Sequence, residues 1–141
     1  MIDFQRILVV DDSRVTLLAV KKILEDAGYV VTTAESGEIA LDLIKKKGLP
    51  HLAIVDINMP FGMDGFTFCR KVHQFSDLPV ILLSAEEDEE IVVKGLDQYA
   101  EDYIIKPPTG PMRSDELVSR VRRIFRRIDD FGYQLDPVTQ I

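Results

Sequence analysis

Apolar positions along the chain fall into two kinds of run. Five short β-type stretches, Arg6–Asp11, Tyr29–Ala34, Leu52–Asp56, Val80–Ser84 and Asp102–Ile105, are separated by longer stretches with apolar residues three and four apart. This alternation predicts an α/β protein with a doubly wound, five-stranded parallel sheet and helices on both faces. Ile7-Leu8-Val9-Val10 and Leu52-Ala53-Ile54-Val55 are apolar throughout, as strands covered on both sides should be, whereas the mixed run Tyr29–Thr33 suits an edge.

The spacing predicts a first helix through Val15, Leu18, Ala19, Lys22 and Ile23, stopping at Gly28. A second runs through Ile39, Ala40, Leu43 and Ile44 and ends before Gly48-Leu49-Pro50. A third follows Asp64-Gly65 with Phe66, Cys69, Val72 and His73, and a fourth spans Asp88–Asp97. A last helix opens at Ser114-Asp115-Glu116, where the hydroxyl can cap free amides and the two acids suit the positive helix end. Its stripe is Leu117, Val118, Val121, Ile124, Phe125 and Ile128.

With 141 residues, 46% of them hydrophobic, the expectation is one compact domain over residues 1–128 and a short tail over 129–141. The first apolar run, Ile7–Val10, is too short for a signal-peptide core or a membrane span, so a cytoplasmic protein is expected. Cys69 is the only cysteine, which excludes an internal disulfide and a cysteine metal cluster, and His51 and His73 fall in different elements. The net charge of −7 is unevenly spread: residues 113–127 hold six basic and two acidic side chains, and the rest of the chain is strongly acidic. An acidic body argues against nucleic-acid binding by this domain.

In a doubly wound sheet, chemistry collects beyond the carboxyl ends of the strands. Here those ends read Asp11-Asp12, Asp56, Ser84 and Lys106. Three neighbouring carboxylates repel one another unless a cation holds them, and oxygen ligands suit magnesium. An aspartate beside such a cation can attack a phosphoryl group: Asp56 as nucleophile, Lys106 offsetting charge, Ser84 donating a hydrogen bond. Each residue taken singly has a plainer reading. Asp12 before Ser13 is also a helix N-cap, Asp56 a strand-end turn, Ser84 a capping hydroxyl and Lys106 a solvated lysine.

Val9-Val10-Asp11-Asp12-Ser13, Val55-Asp56-Ile57-Asn58-Met59-Pro60, Met63-Asp64-Gly65, Leu83-Ser84-Ala85 and Asp102-Tyr103-Ile104-Ile105-Lys106-Pro107 together resemble the receiver domain of two-component response regulators over about residues 5–128. The resemblance implies a flavodoxin-like strand order, 2-1-3-4-5. It implies a magnesium ion, or manganese in its place, held by Asp11, Asp12, Asp56 and the backbone carbonyl of Asn58. Asp56 would accept a phosphoryl group from a sensor histidine kinase or phosphotransfer protein, with Asn58 and Glu86 tuning its loss. Such a domain promotes its own phosphorylation and is not an enzyme in the turnover sense. Ser84 and Tyr103 would form the switch, coupling the phosphate to a surface of the fourth helix, fifth strand and fifth helix that serves an output domain or a homodimer. The plainer reading of Tyr103 is a half-buried strand tyrosine. Lys106-Pro107 resembles the family's usually cis peptide.

Phe61 makes the loop after Asp56 one residue longer than the family's common form, and Pro107–Met112 lengthens the approach to the last helix. Arg120, Arg122, Arg123, Arg126 and Arg127 read as a solvated face around the apolar stripe. Asp129–Gln134 reads as a linker or helix extension. Leu135–Ile141 resembles the opening of a diguanylate cyclase domain, and Phe131–Pro137 the first strand of a winged-helix DNA-binding domain, so residues 129–141 read as a linker or the start of a truncated output domain. Three rival functions remain beside the receiver: a metal-dependent phosphatase, for which Asn58 stands where a second acid is needed; a flavin- or nucleotide-binding module, disfavoured by acidic strand-end loops; and a degenerate receiver that serves only as a docking surface.

Overall fold

A computed structural model of the chain describes residues 4–60, 62–85 and 88–135, with side chains described as far as residue 128. In chain order the elements are β1 (Arg6–Val10), α1 (Arg14–Asp26), β2 (Val30–Ala34), α2 (Gly37–Lys47), β3 (Leu52–Val55), α3 (Gly65–Val72), β4 (Val80–Ser84), α4 (Glu89–Gln98), β5 (Asp102–Ile105) and α5 (Ser114–Leu135). All strand pairs are parallel, in the order β2-β1-β3-β4-β5. The mixed run at β2 does lie on an edge, and the apolar runs of β1, β3 and β4 lie inside.

Period-two alternation along the strands builds two cores. Leu8, Val10, Ala53, Val55, Val80 and Leu82 face α2 and α3, meeting Ala40, Ile44, Phe68, Cys69 and Val72. Ile7, Val9, Leu52, Ile54, Ile81 and Leu83 face α1 and α5, meeting Leu17, Val20, Leu24, Leu117, Val121, Ile124 and Phe125. A sheet sandwiched this way can expose only its two ends, and the polar strand-end residues collect at one of them.

The face of α1 differs from expectation. Val15 is 79% exposed and Leu18 69% exposed, while Leu17, Val20 and Leu24 are buried. Two helically spaced apolar stripes exist in this segment, and the one carrying Val15, Leu18 and Lys22 faces solvent while Leu17, Val20 and Leu24 meet the sheet. The start of α5 also shifts. Ser114 is the first helical residue and the Leu117 amide donates to the Arg113 carbonyl at 3.1 Å, so Arg113 holds the cap position expected for Ser114. In α4, Asp88 is the N-cap and accepts from Glu90 N and Ile91 N. The backbone of α5 continues as helix to Leu135, the extension form of the reading given to Asp129–Gln134. Residues 136–141, with most of the segment that resembles an output domain, lie outside the described residues.

Candidate functional site

Register brings the acids together. Val10 pairs with Val55 across β1 and β3, so Asp11 and Asp56 leave the sheet side by side one residue later. The ladder continues through both: Asp11 N donates to Ala34 O at 3.0 Å and Asp56 N to Val10 O at 2.9 Å. On the other side Ser84 pairs with Ile105, and Lys106 N donates to Ser84 O at 2.9 Å, which aims the next side chain across the strand ends.

Lys106 Nζ lies 2.7 Å from Asp11 Oδ2 and 3.1 Å from Asp56 Oδ2. Asp11 is 1% and Asp56 4% exposed, so two carboxylates share one ammonium in a largely dry pocket. Asp12 is exposed, yet it offers a carboxylate oxygen in a group with Asp11 and Asp56 whose members all lie within 4.8 Å of one another. The remaining lone pairs are held locally: Asp11 Oδ1 accepts from Ser13 N at 2.9 Å and Asp56 Oδ1 from Asn58 N at 3.2 Å. Ser13, not Asp12, is the N-cap of α1, accepting from Thr16 N.

Burial is the largest influence on Asp11 and pushes its carboxyl up to about 6, against the pull of Lys106 and the Ser13 amide. For Lys106, burial acts downward, but the Asp11 and Asp56 carboxylates outweigh it and hold the ammonium above its ordinary range. Asp11 Oδ2 is ion-paired to Lys106 but lacks a well-aligned hydrogen bond, and it belongs to an all-oxygen donor set of three acids that a hard divalent cation satisfies, so the residues fit magnesium.

Gly65 closes the loop after Asp56. Its amide donates to Ile57 O at 3.0 Å, and a Cβ there would run into the Asp56 carbonyl oxygen and stand 2.8 Å from Ile57 Cα. Only glycine lets α3 begin this close to the backbone of Asp56.

Ser84 is fully buried at the end of β4. Tyr103 is buried in the core cluster on the α2 and α3 side, deeper than a half-buried strand tyrosine. Asn58 is exposed. Glu86 and Phe61 lie outside the described residues. Among the described residues no peptide is cis, so Lys106–Pro107 is trans, contrary to the form the resemblance implies. The trans isomer is the lower-energy form of an X-Pro bond, and the lysine reaches both carboxylates from it.

One polar cluster escaped the sequence pattern. Asp102, buried at the start of β5, accepts from Arg120 Nη1 at 2.8 Å, from Arg123 Nη2 at 2.7 Å and from the Tyr103 amide at 2.8 Å. Arg127 reaches Glu101 at 3.5 Å. Three arginines of the supposed solvated face thus fasten α5 to the segment around β5. The signal was a lone acid in an otherwise apolar strand, opposite arginines three apart on a helix.

A family model for the response regulator receiver domain matches residues 7–122. The chain therefore belongs to that family, whose members bind magnesium in an acidic pocket and work with histidine kinases and output domains in phosphorylation-based signalling. Among its relatives, the transcriptional regulatory protein AfsQ1 of Streptomyces coelicolor is 37% identical over 121 residues, covering 86% of this chain and 51% of that protein. The probable transcriptional regulator ycf27 of Guillardia theta is 37% identical over 133 residues, covering 92% and 48% respectively. The chain spans about half the length of these relatives. A CheY-like receiver domain protein from Methanospirillum hungatei superposes with a TM-score of 0.82 at 28% identity, covering 92% of this chain and all of that one. The N-terminal domain of a response regulator/sensory box/GGDEF protein from Carboxydothermus hydrogenoformans gives 0.78 at 30% identity, covering 91% and 99%. No described helix is long and apolar enough to cross a membrane.

Proposed function

We propose that Asp56 is the phosphoacceptor of this receiver domain. The observation that carries the reading is the convergence of Asp56 and Asp11 on Lys106 Nζ, at 3.1 and 2.7 Å, with Asp12 beside them. Asp56 Oδ attacks the phosphorus of a donor phosphohistidine or small acyl phosphate. The new O–P bond forms as the P–N or P–O bond breaks, and the leaving group keeps the bonding pair. The Lys106 ammonium offsets charge on the phosphoryl oxygens, and the Ser84 hydroxyl donates to one of them. A divalent cation, magnesium or manganese, held by Asp11, Asp12, Asp56 and the Asn58 carbonyl, would neutralise charge on the same oxygens. Asn58 and Glu86 tune hydrolysis of the acyl phosphate.

Movement of Ser84 toward the phosphate changes the packing around the buried Tyr103 and reshapes the face of α4, β5 and α5, where Val93, Leu96 and Ile105 are exposed. That face serves an output domain or a homodimer. Residues 1–128 form the receiver and residues 129–141 lead toward the output. A DNA-binding output is favoured over a diguanylate cyclase because the relatives named above are transcriptional regulators of about twice this length. The donor is a cytoplasmic sensor kinase or phosphotransfer protein, and this chain is placed in the same compartment.

Acetyl phosphate with magnesium should add one phosphate to the intact chain by mass spectrometry, and chelation should prevent it. An Asp56→Asn chain that still gains the phosphate would remove Asp56 from the role.

A further inference from the structure

The acids and the lysine sit at strand ends, but the loop from Asp56 to Gly65 must also be held, and the structure shows an anchor outside the five motifs. Glu38, in the first turn of α2, accepts from the Met63 amide through both carboxylate oxygens, at 3.1 Å to Oε1 and 3.3 Å to Oε2. Gly62, at φ +96°, lies so close that a Cβ on it would be 2.5 Å from Glu38 Oε2. The Met63 side chain rests on the start of α2, where a Cβ on Gly37 would be 2.9 Å from its Sδ. The far foot of the loop is tied at Gly65, through its bond to Ile57 O. The near foot carries Asn58, whose amide holds Asp56 Oδ1.

We infer that Glu38 is a positioning residue for the phosphorylation site: by gripping the Met63 amide it holds the β3–α3 loop, and through the loop it orients Asn58 and Asp56 for the divalent cation. The inference rests on the reading of Asp56 as phosphoacceptor. The bonds at Asn58, Met63 and Gly65 fix the described parts of the loop, so little ordering of Asn58 and Asp56 is left for cation binding to impose. With the Glu38 grip lost, ordering falls on the binding step, and affinity drops.

Three substitutions separate positioning from charge. Glu38→Gln keeps an oxygen acceptor of the same reach and removes the negative charge; Glu38→Ala removes both; Glu38→Asp keeps the charge and shortens the reach by one methylene. Magnesium affinity by titration calorimetry and the rate of phosphorylation by acetyl phosphate are measured on each, with thermal melts to establish folding. Glu38→Ala should weaken magnesium binding and slow phosphorylation by about 3- to 10-fold, less than the roughly 10- to 100-fold lost when a group bonded directly to a metal ligand is removed, because Glu38 acts through the loop. Glu38→Asp should resemble Ala, and Glu38→Gln should stay within about twofold of wild type, as an intact grip requires. Gln behaving like Ala would make the effect one of net charge and overturn the inference. Ala equal to wild type would overturn it too, while leaving the Asp56 reading standing. A wild-type chain that binds no magnesium and takes up no phosphate would instead bring down the reading of the site, and the inference with it.

Discussion

Asp11 links the chemistry of the site to the stability of the fold. Its carboxyl is raised from an ordinary 3.8 to about 6, chiefly by burial. Below about pH 4 both folded and unfolded chains carry it protonated, and it does not affect stability. As pH rises from there, the unfolded chain releases the proton first while the folded chain retains it, so folding becomes less favourable until about pH 6, where the folded chain ionises as well. The loss is complete about a pH unit above that and amounts to up to about 3 kcal/mol, at about 1.4 kcal/mol for each tenfold change in the acid constant. The perturbation is Asp11→Asn, assayed by urea denaturation in chelator from about pH 4 to about pH 8. The wild type should lose up to about 3 kcal/mol relative to the variant across this window, or about 10 °C in melting temperature for a domain of this size. Millimolar magnesium at neutral pH should then stabilise the wild type relative to the variant, because it binds the folded wild type more tightly. Parallel pH profiles for the two proteins in chelator would refute the account of a strained, cation-ready carboxylate.

Other outcomes follow from packing and pairing. Gly65→Ala should destabilise the fold by about 3 kcal/mol or more by urea denaturation, because the new methyl meets the Asp56 backbone and neither partner is a flexible side chain. Leu24→Ala should cost about 2 to 5 kcal/mol, whereas Leu18→Ala should stay within about 0.5 kcal/mol; equal effects would contradict the assignment of the buried face of α1. Asp102→Ala should lower stability by about 1 to 3 kcal/mol, reduced by the partial exposure of both arginines. Adding Arg120→Ala and Arg123→Ala to that variant should cost much less than the sum of the separate changes, a triple-mutant test of the clamp.

The strands were legible because burial on both faces demands unbroken apolar runs, and β1, β3, β4 and β5 lie within one residue of their expected bounds. The helices were legible as elements but not always as faces. In α1 two apolar stripes satisfy the same period, and the choice between them depends on what the sheet presents. The acids of the site could be named because each ends an apolar strand. Asp102, Arg120 and Arg123 could not, since the partner of a buried charge is set by packing across twenty residues of chain, and the grip of Glu38 on Met63 escaped for the same reason.

The sequence by itself determined the order of strands and helices and the family, and it singled out Asp11, Asp12, Asp56, Ser84 and Lys106 as candidates, because local periodicity and strand-end position are properties of short segments. Tertiary structure decided how those residues meet. It set the single ammonium between two buried carboxylates, the trans Lys106–Pro107 bond, the inward Tyr103, and the anchoring of α5 and of the β3–α3 loop by acids distant in the chain. Distances of a few ångströms between residues 25 or 50 positions apart depend on register and close packing, which no short segment encodes alone.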